Sequence, residues 1–567
     1  MMAGILCIIG AIQNHIFPLF IRRNLDIEGG NDISRSTFVA YLKKYFLLPA
    51  TFGKTHIRRP WSFSIPLLSQ TILIAIYIIL NVVFLCVNYT VFTENLYWPA
   101  DTWVQLTRYV ADRSGILAFA QTPLLVAFAG RNNVLIWLTG WSYATFNVWH
   151  KWVARVCLIQ TFIHSVGYSM YGWHFGGSAE LAAYYEDPYL RWGAVVYLKY
   201  GISANDQGTV ACCLLCFQAI YYFRLRWYEI FLAIHIVLAI VFIIGCWYHV
   251  ALLDFGHMEW LYAAVAIWAF DRALRIGRLA LLNFSWAKGR KASTAELEIA
   301  GPDAIKAVIS VGYDFTFRPG QYAYCYFPRF NFWESHPFTI AAYDNSQNQP
   351  KVTVLFRTHG GVTNRLWKHL QDGLKVMSCY VEGPYGHYSP VDKYDNVLLL
   401  AGGIGVTAVF PYLRYLAQLQ VNNVRFLWVV RDEDSIRWFK DEIWELPAKS
   451  NVHIEVHVTK SGTGKAESAM NRISHDLNVK RDDIETQSAQ VTDKEVDACR
   501  RTFSQHILVG SKPNLQEVIS NRAVEAGSLA VLACGPDTFV DDARRAVADN
   551  VTTATGVIDY FEEAFTW

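Results

Sequence analysis

The sequence predicts a multi-domain chain: a polytopic α-helical membrane half, then a small antiparallel β-barrel, then a parallel α/β domain. Three observations carry this. Before about residue 285, apolar runs such as IPLLSQTILIAIYIILNVVFLCV (66–88) recur, long enough to cross a hydrocarbon core of about 30 Å. Over 293–390, short alternating segments are punctuated by Gly and Pro, the pattern of an antiparallel barrel. From 391 onward, near-continuous apolar strands alternate with helical stretches, as a buried parallel sheet requires.

Seven spans are expected, at about 2–20, 66–88, 114–130, 143–169, 208–223, 229–250 and 258–278. The first lacks the basic flank of a signal peptide and reads as a membrane helix stopped by Arg22 and Arg23, a cleaved signal being the alternative. If the C-terminal half is cytosolic, the inner loops hold fourteen Lys and Arg and the outer loops four, which obeys the positive-inside bias. The outer loops (89–113, 171–207 and 251–257) carry eight acidic residues, a balance that suits metal cations. The net charge of +2 is uninformative, and without a basic stripe no nucleic-acid partner is expected. The chain has no C-x-x-C-H, so covalent c-type haem is not indicated.

The domains expected are 1–65 (N-terminal span and basic loop), 66–284 (membrane), 285–390 (barrel) and 391–567 (α/β). In the last, NVLLLAGGIG, VRFLWVVRD, VHIEVHVTK, QHILVG and LAVLACGP read as parallel strands, and 461–505 as a polar, mobile insertion.

Two of the apolar spans hold two histidines each. His150 and His164 are fourteen residues apart, as are His235 and His249. Fourteen residues advance a helix by about 21 Å and return within about 40° of the same face. Two helices running in the same direction would set His150 level with His235 and His164 level with His249. Each level then holds one imidazole from either side, the donor set for bis-histidine haem ligation. Lys151 and Arg155 suit either haem propionates or lipid headgroups. His15, His174 and His257 lack such pairing and read as structural or interfacial.

AGGIGVTA (401–408) follows an apolar strand and opens a helix, where backbone N–H groups can approach a pyrophosphate. Together with RPGQY (318–322), HPFTI (336–340), GGVT (360–363), GPYG (383–386) and CGP (534–536), it resembles the ordered motif set of ferredoxin-reductase-type flavoproteins. Joined to the paired-histidine membrane half, the chain resembles the ferric reductase and NADPH oxidase superfamily. GILAFAQTPLLVAFAGRNN and FEEAFTW are similar to fungal plasma-membrane ferric reductases.

The resemblance implies that His336, Pro337, Phe338 and Thr339 hold FAD, with Gly360, Gly361 and Thr363 turned to its pyrophosphate. It implies that Gly402, Gly403, Gly405 and Thr407 cradle NADPH, with Cys534 and Gly535 near the nicotinamide and Trp567 stacked on the flavin. Arg431, at the end of the second strand in WVVRD, is placed to bind a 2′-phosphate, although Asp432 follows it. The implied activity carries electrons from cytosolic NADPH through FAD and two b-type haems (His150/His235, then His164/His249) to extracellular ferric chelates or siderophores, or to cupric ion. It would feed a separate iron permease or oxidase at the plasma membrane. The alternatives are an oxidase passing the same electrons to oxygen and a non-enzymatic haem or metal transport protein.

Overall fold

A computed structural model of the chain describes residues 37–53, 55–56, 65–98, 101–186, 214–215, 228–253, 256–284, 292–301, 303–346, 349–358, 360–421, 423–439, 452–460, 507–509 and 512–563. The expected span at 2–20, most of that at 208–223, His15, the 461–505 insertion and Trp567 lie outside these residues. The chain separates into two compact units, one within Gln70–Arg275, the other formed by Ile276–Trp567 with the segment up to Ser69. The first described helix, α1 (Thr37–Leu42), belongs to the second unit.

In the first unit, α2 (Leu68–Cys86) buries Ile74, Tyr77 and Asn81 along one face and exposes Ile72, Ile76, Ile79 and Val83 on another. A buried face that carries the polar groups of Tyr77 and Asn81, opposite an exposed face of Ile and Val, inverts the pattern of a soluble helix and suits contact with lipid. Helix α3 (Thr102–Ala120) starts at Asp101, whose carboxylate accepts the Val104 N–H at 3.0 Å, an N-cap. Helix α4 (Thr122–Ala129) follows a break at Gln121, with Pro123 in its first turn, where the missing N–H of proline is tolerated. The single span expected at 114–130 is thus two helices. Arg108 and Arg113, expected in an outer loop, sit on α3 because the Asp101 cap starts that helix earlier.

A short α5 (Val134–Thr139), capped by Asn133 and ended by Gly140 at φ 66°, leads to α6 (Tyr143–Glu186), which outruns the expected 143–169 and is interrupted at Gly177. Helices α7 (Tyr228–Leu253) and α8 (Met258–Asn283) follow. By length and composition, Leu68–Cys86 and Tyr228–Ala251 are able to cross a membrane. Phe146, Trp149, Val153, Val156 and Gln160 form the buried stripe of α6 at helical spacing. Gly167 lets α6 approach α3, since a Cβ there would lie 2.8 Å from the Ala111 Cβ. A buried polar chain ties the helices. Tyr77 donates to Gln121, Gln121 Nε2 to Gln160 Oε1 (2.5 Å), Gln160 Nε2 to Asn81 Oδ1 (3.0 Å) and Asn81 Nδ2 to the Tyr77 carbonyl (2.9 Å).

The second unit holds two sheets. The first is antiparallel and built from β1 (Thr294–Gly301), β2 (Ala304–Ser310), β3 (Tyr322–Phe327), β4 (Asn331–Asp344), β5 (Lys351–Arg357), β6 (Val376–Ser378) and β7 (Tyr380–Tyr385), with α9 (Val362–Gln371) before β6. Its order is β6-β1-β2-β5-β4-β3-β7. The outermost strands β6 and β7 are separated in sequence by Cys379 alone, so the sheet must curl until its edges approach. Asn283, at the end of α8, exchanges two 2.7 Å hydrogen bonds with the Val381 backbone, and Leu282 joins the core of this sheet. The helix therefore runs beyond the expected end at 278 because the barrel satisfies its terminal groups.

The second sheet is parallel, order β11-β10-β9-β8-β12-β13. It comprises β8 (Asn396–Gly402), β9 (Val424–Val430), β10 (Val452–Val458), β11 (Ile507–Val509), β12 (Leu529–Cys534) and β13 (Ile558–Glu562), with α10 (Val406–Gln418), α11 (Leu515–Ala523) and α12 (Asp537–Asn550). Residues Ala40 and Leu48 of the basic N-terminal segment pack on this domain, and Lys43 pairs with Asp559 at 2.6 Å.

The two sheets meet at Gly320 (φ 82°), where a Cβ would strike the Tyr412 hydroxyl and the His387 carbonyl. Tyr412 donates to Glu563 Oε1 at 2.9 Å and accepts from the Ser389 N–H at 3.0 Å. Burial pushes the Glu563 carboxyl up to about 8, with Glu562 adding repulsion.

Two tests address these contacts. Gln160→Leu removes the donor to Asn81 and should cost about 1 kcal/mol, the size of a hydrogen bond between membrane helices. A lowered unfolding midpoint in detergent is expected; an unchanged midpoint refutes a stabilising role. For Glu563, the folded chain holds a proton that the unfolded chain releases between about pH 4.3 and about pH 8, so its contribution to stability falls as pH rises through that window. Glu563→Gln keeps an acceptor for Tyr412 without ionising. Its midpoint should fall less between pH 6 and pH 8.5 than that of the unmodified protein, and parallel declines would argue against the raised carboxyl.

Candidate functional site

The structure brings the four span histidines together in the expected pairs. The His150 and His235 ring centres are 6.3 Å apart at 77°, and those of His164 and His249 are 6.1 Å apart at 88°. Two metal–nitrogen bonds of about 2 Å, plus about 1.1 Å from each nitrogen to its ring centre, put collinear imidazoles about 6.2 Å apart. Both levels fit an ion held between two rings.

The ring orientations fit as well. His150 Nδ1 lies 2.9 Å from the Leu125 carbonyl on α4, and His164 Nδ1 lies 2.8 Å from the Ala111 carbonyl on α3. A carbonyl can only accept, so each Nδ1 carries the proton and each Nε2 keeps a lone pair for a metal. Gly115 gives His164 its space: a Cβ there would lie 2.6 Å from the His164 Nδ1. Phe231 stacks on His235 at 5.6 Å, and Tyr168 packs on His164 at 4.8 Å. Arg155 lies over the Trp152 ring at 4.6 Å. The unpaired His174 contacts Asp101 at 2.9 Å.

In the second unit, the chain proceeds from β8 to β9 on one side and places β12 on the other. Such a reversal opens a crevice at the strand C-termini, where doubly wound sheets take ligands. Two predicted turns meet there. A Cβ on Gly402 would lie 3.2 Å from Gly535, and one on Gly405 would lie 2.4 Å from the Cys534 carbonyl. Gly403 (φ 54°) has open space around it. Thr407 is turned back to the Ile404 carbonyl at 2.9 Å.

Arg431 is exposed at the end of β9, while Asp432 accepts from the Ser435 backbone N–H (3.1 Å) and hydroxyl (2.8 Å). Cys534 is fully buried, and burial pushes its thiol well up, with Glu563 and Glu562 adding to the effect. It is a neutral thiol rather than a nucleophilic thiolate.

On the barrel, His336, Pro337, Phe338 and Thr339 lie on β4 opposite Cys325, Tyr324, Ala323 and Tyr322 of β3. Phe338 stacks on Phe356 at 4.2 Å and packs against the barrel core, so the motif divides between packing and the outer face. Gly361 (φ 72°) opens α9, Thr363 Oγ1 reaches the Gly360 carbonyl at 3.4 Å, and Gly360 has no atom within 4 Å of its would-be Cβ. The Gly320–Tyr412–Glu563 junction and the polar chain through Gln160 were not anticipated. Both join residues distant in sequence, and the turn signal Pro-Gly at 319–320 was the single visible clue.

Comparison with known proteins places these features in a family. Three family models match in order: "Ferric reductase like transmembrane component" over 114–246, "FAD-binding domain" over 290–389 and "Ferric reductase NAD binding domain" over 394–548. Ferric reductase transmembrane component 4 of Saccharomyces cerevisiae is 32% identical over 570 residues, spanning 93% of this chain and 73% of the relative. Ferric/cupric reductase transmembrane component 2 of the same yeast is 32% identical, spanning 94% and 72%. Ferric/cupric reductase transmembrane component 1 of Candida albicans is 28% identical, spanning 93% and 67%. A transmembrane helical domain, a curled FAD-binding sheet and a parallel nicotinamide-dinucleotide-binding sheet in this order mark an oxidoreductase, and the chain belongs to the ferric reductase family.

Proposed function

We propose that the protein carries electrons from cytosolic NADPH, through FAD and two bis-histidine b-type haems, to a ferric chelate or cupric ion outside the plasma membrane, in support of reductive iron uptake. The observation that carries this reading is the pair of imidazole levels at 6.3 and 6.1 Å, separated by fourteen residues on both helices. When bound, NADPH would supply a hydride, FAD the change from paired to single electrons, and haem iron a one-electron carrier.

The chain's own groups would position and insulate these. Leu125 and Ala111 hold the Nδ1 protons of His150 and His164, so that Nε2 is the coordinating atom. His235 and His249 would be the partner ligands. Gly402, Gly403, Gly405 and Thr407 leave backbone at the crevice for the dinucleotide phosphates, and Gly360, Gly361 and Thr363 do so at the start of α9 for the flavin pyrophosphate. His336, Pro337 and Thr339 would border the isoalloxazine, Phe338 supporting them from the core. Cys534 and Gly535 would line the nicotinamide position with an uncharged surface, and Trp567 would cover the flavin until nicotinamide displaces it. Arg431, exposed at the end of β9, favours the 2′-phosphate of NADPH, and Oδ1 of the Asp432 carboxylate that would suit a ribose diol is engaged by Ser435.

Cells expressing the protein should reduce an impermeant ferric chelate at a rate unaffected by superoxide dismutase; dismutase-sensitive reduction would show that oxygen is the acceptor. His235→Ala should abolish that external reduction and remove one haem from the NADPH-reduced spectrum, yet leave NADPH-driven reduction of a soluble dye at the flavin intact. Retention of both haems would remove His235 from the site. Arg431→Ala should raise KM for NADPH about tenfold, the loss of a charged phosphate contact, with little effect on KM for NADH. Equal effects on both nucleotides would rule out the phosphate role.

A further inference from the structure

We propose that His174, backed by Asp101, is the docking point for the metal of the extracellular acceptor, a chelated Fe(III) or Cu(II) with an exchangeable coordination position. The inference rests on the reading that electrons leave from the His164–His249 level, and it supplies the acceptor site that the outer loops did not reveal in sequence.

His174 lies ten residues beyond His164 on α6, about 15 Å further along the axis and away from His150. Asp101 holds it with one carboxylate oxygen, at 2.9 Å from His174 Nε2, and the other oxygen caps α3 through the Val104 N–H at 3.0 Å. The carboxylate is thereby pinned by the helix it starts. With Nε2–H donated to it, His174 Nδ1 keeps its lone pair, and a carboxylate behind an imidazole fixes the tautomer and the ring orientation. That arrangement recurs behind metal-binding histidines. The side chains are 43% and 37% exposed, open to an incoming complex. Trp103 packs on the His174 ring at 5.8 Å and limits its rotation. Imidazole with a carboxylate behind it suits iron and copper ions better than hard alkaline-earth cations.

A second, independent feature leads to the same point. From His164, contacts run without a gap to His174. Tyr168 packs on His164 at 4.8 Å, and the Arg108 guanidinium bridges the Tyr168 and Tyr171 rings at 4.5 and 5.2 Å. Tyr171 then contacts Phe175 at 4.8 Å, and Phe175 contacts His174 at 5.4 Å. Arg108 is held in this series by Asp112 at 3.2 Å. The transfer is a single electron: Fe(III) becomes Fe(II), the metal–nitrogen contact is exchangeable, and no proton moves. The product carries less charge and is attracted less strongly to the carboxylate-backed ring, which favours its release.

The test uses the full-length protein in membranes, Fe(III)-citrate as acceptor and redox-inert Zn(II) as a competing probe. Zn(II) should inhibit the unmodified protein competitively. His174→Ala should raise KM for Fe(III)-citrate roughly tenfold or more and abolish the Zn(II) inhibition. Asp101→Asn, which retains a helix cap, should raise KM about tenfold, the usual effect of removing a partner behind a metal ligand. NADPH-reduced haem bands accompanied by unchanged KM and unchanged Zn(II) inhibition in His174→Ala overturn the docking site alone. Absence of NADPH-driven haem reduction in the unmodified protein overturns the electron path, and the docking site with it. Should His174→Ala fail to fold, Asp101→Asn decides on the same two readings.

Discussion

The hydrogen bond from the His150 Nδ1–H to the Leu125 carbonyl, repeated by His164 and Ala111, is the interaction on which the rest of the membrane unit depends. An imidazole free to rotate offers either nitrogen in any direction. These two rings are each tied to a neighbouring helix, so Nδ1 carries the proton and the direction of the Nε2 lone pair is set. The carbonyl acceptors need α3 and α4 at particular heights beside α6. The break at Gln121 separates them, and the Asp101 cap sets where α3 begins. Gly115 and Gly167 then permit the close approach that brings Ala111 to His164.

The polar chain of Tyr77, Gln121, Gln160 and Asn81 has a related consequence. Gln160 lies four residues before His164, between the two imidazole levels. Its bonds hold α2 and the α3–α4 break against α6 where lipid offers no hydrophobic force to press helices together. In the second unit, the same economy of backbone contact appears at the crevice. Glycines at 402, 405 and 535 bring two turns within van der Waals distance, the backbone carbonyl of Cys534 lying directly against Gly405. The Gly320 turn of the barrel then meets Tyr412 and Glu563. The curled sheet and the parallel sheet are joined by a protonated acid and a phenol rather than by an ion pair, which suits a site that must exclude water.

Much of this was legible from local pattern. Apolar runs announced helices, alternation announced the curled sheet, and the shift to βα spacing announced the parallel one, because periods of 3.6 and 2 residues leave an imprint in any short window. Helix ends were less legible. The start of α3 depends on one capping aspartate, and the end of α8 depends on Asn283 finding the Val381 backbone, a partner nearly a hundred residues away. Phe338 shows the same division within a motif: its sequence context announces a flavin strand, but only the contact with Phe356 reveals that its ring faces inward.

By itself the sequence determined the order of the three domains, the fourteen-residue spacing of the imidazoles and the glycine turns, since each depends on residues adjacent in the chain or one helical repeat apart. Only the tertiary structure decided which nitrogen His150 and His164 offer, where the Gly402 and Gly535 turns meet, how Tyr412 reaches Glu563 and that His174 is backed by Asp101. Those are pairings between residues tens to hundreds of positions apart. Hydrogen bonds and packing contacts act through space over a few ångströms, and no local periodicity records which distant group will arrive at that distance.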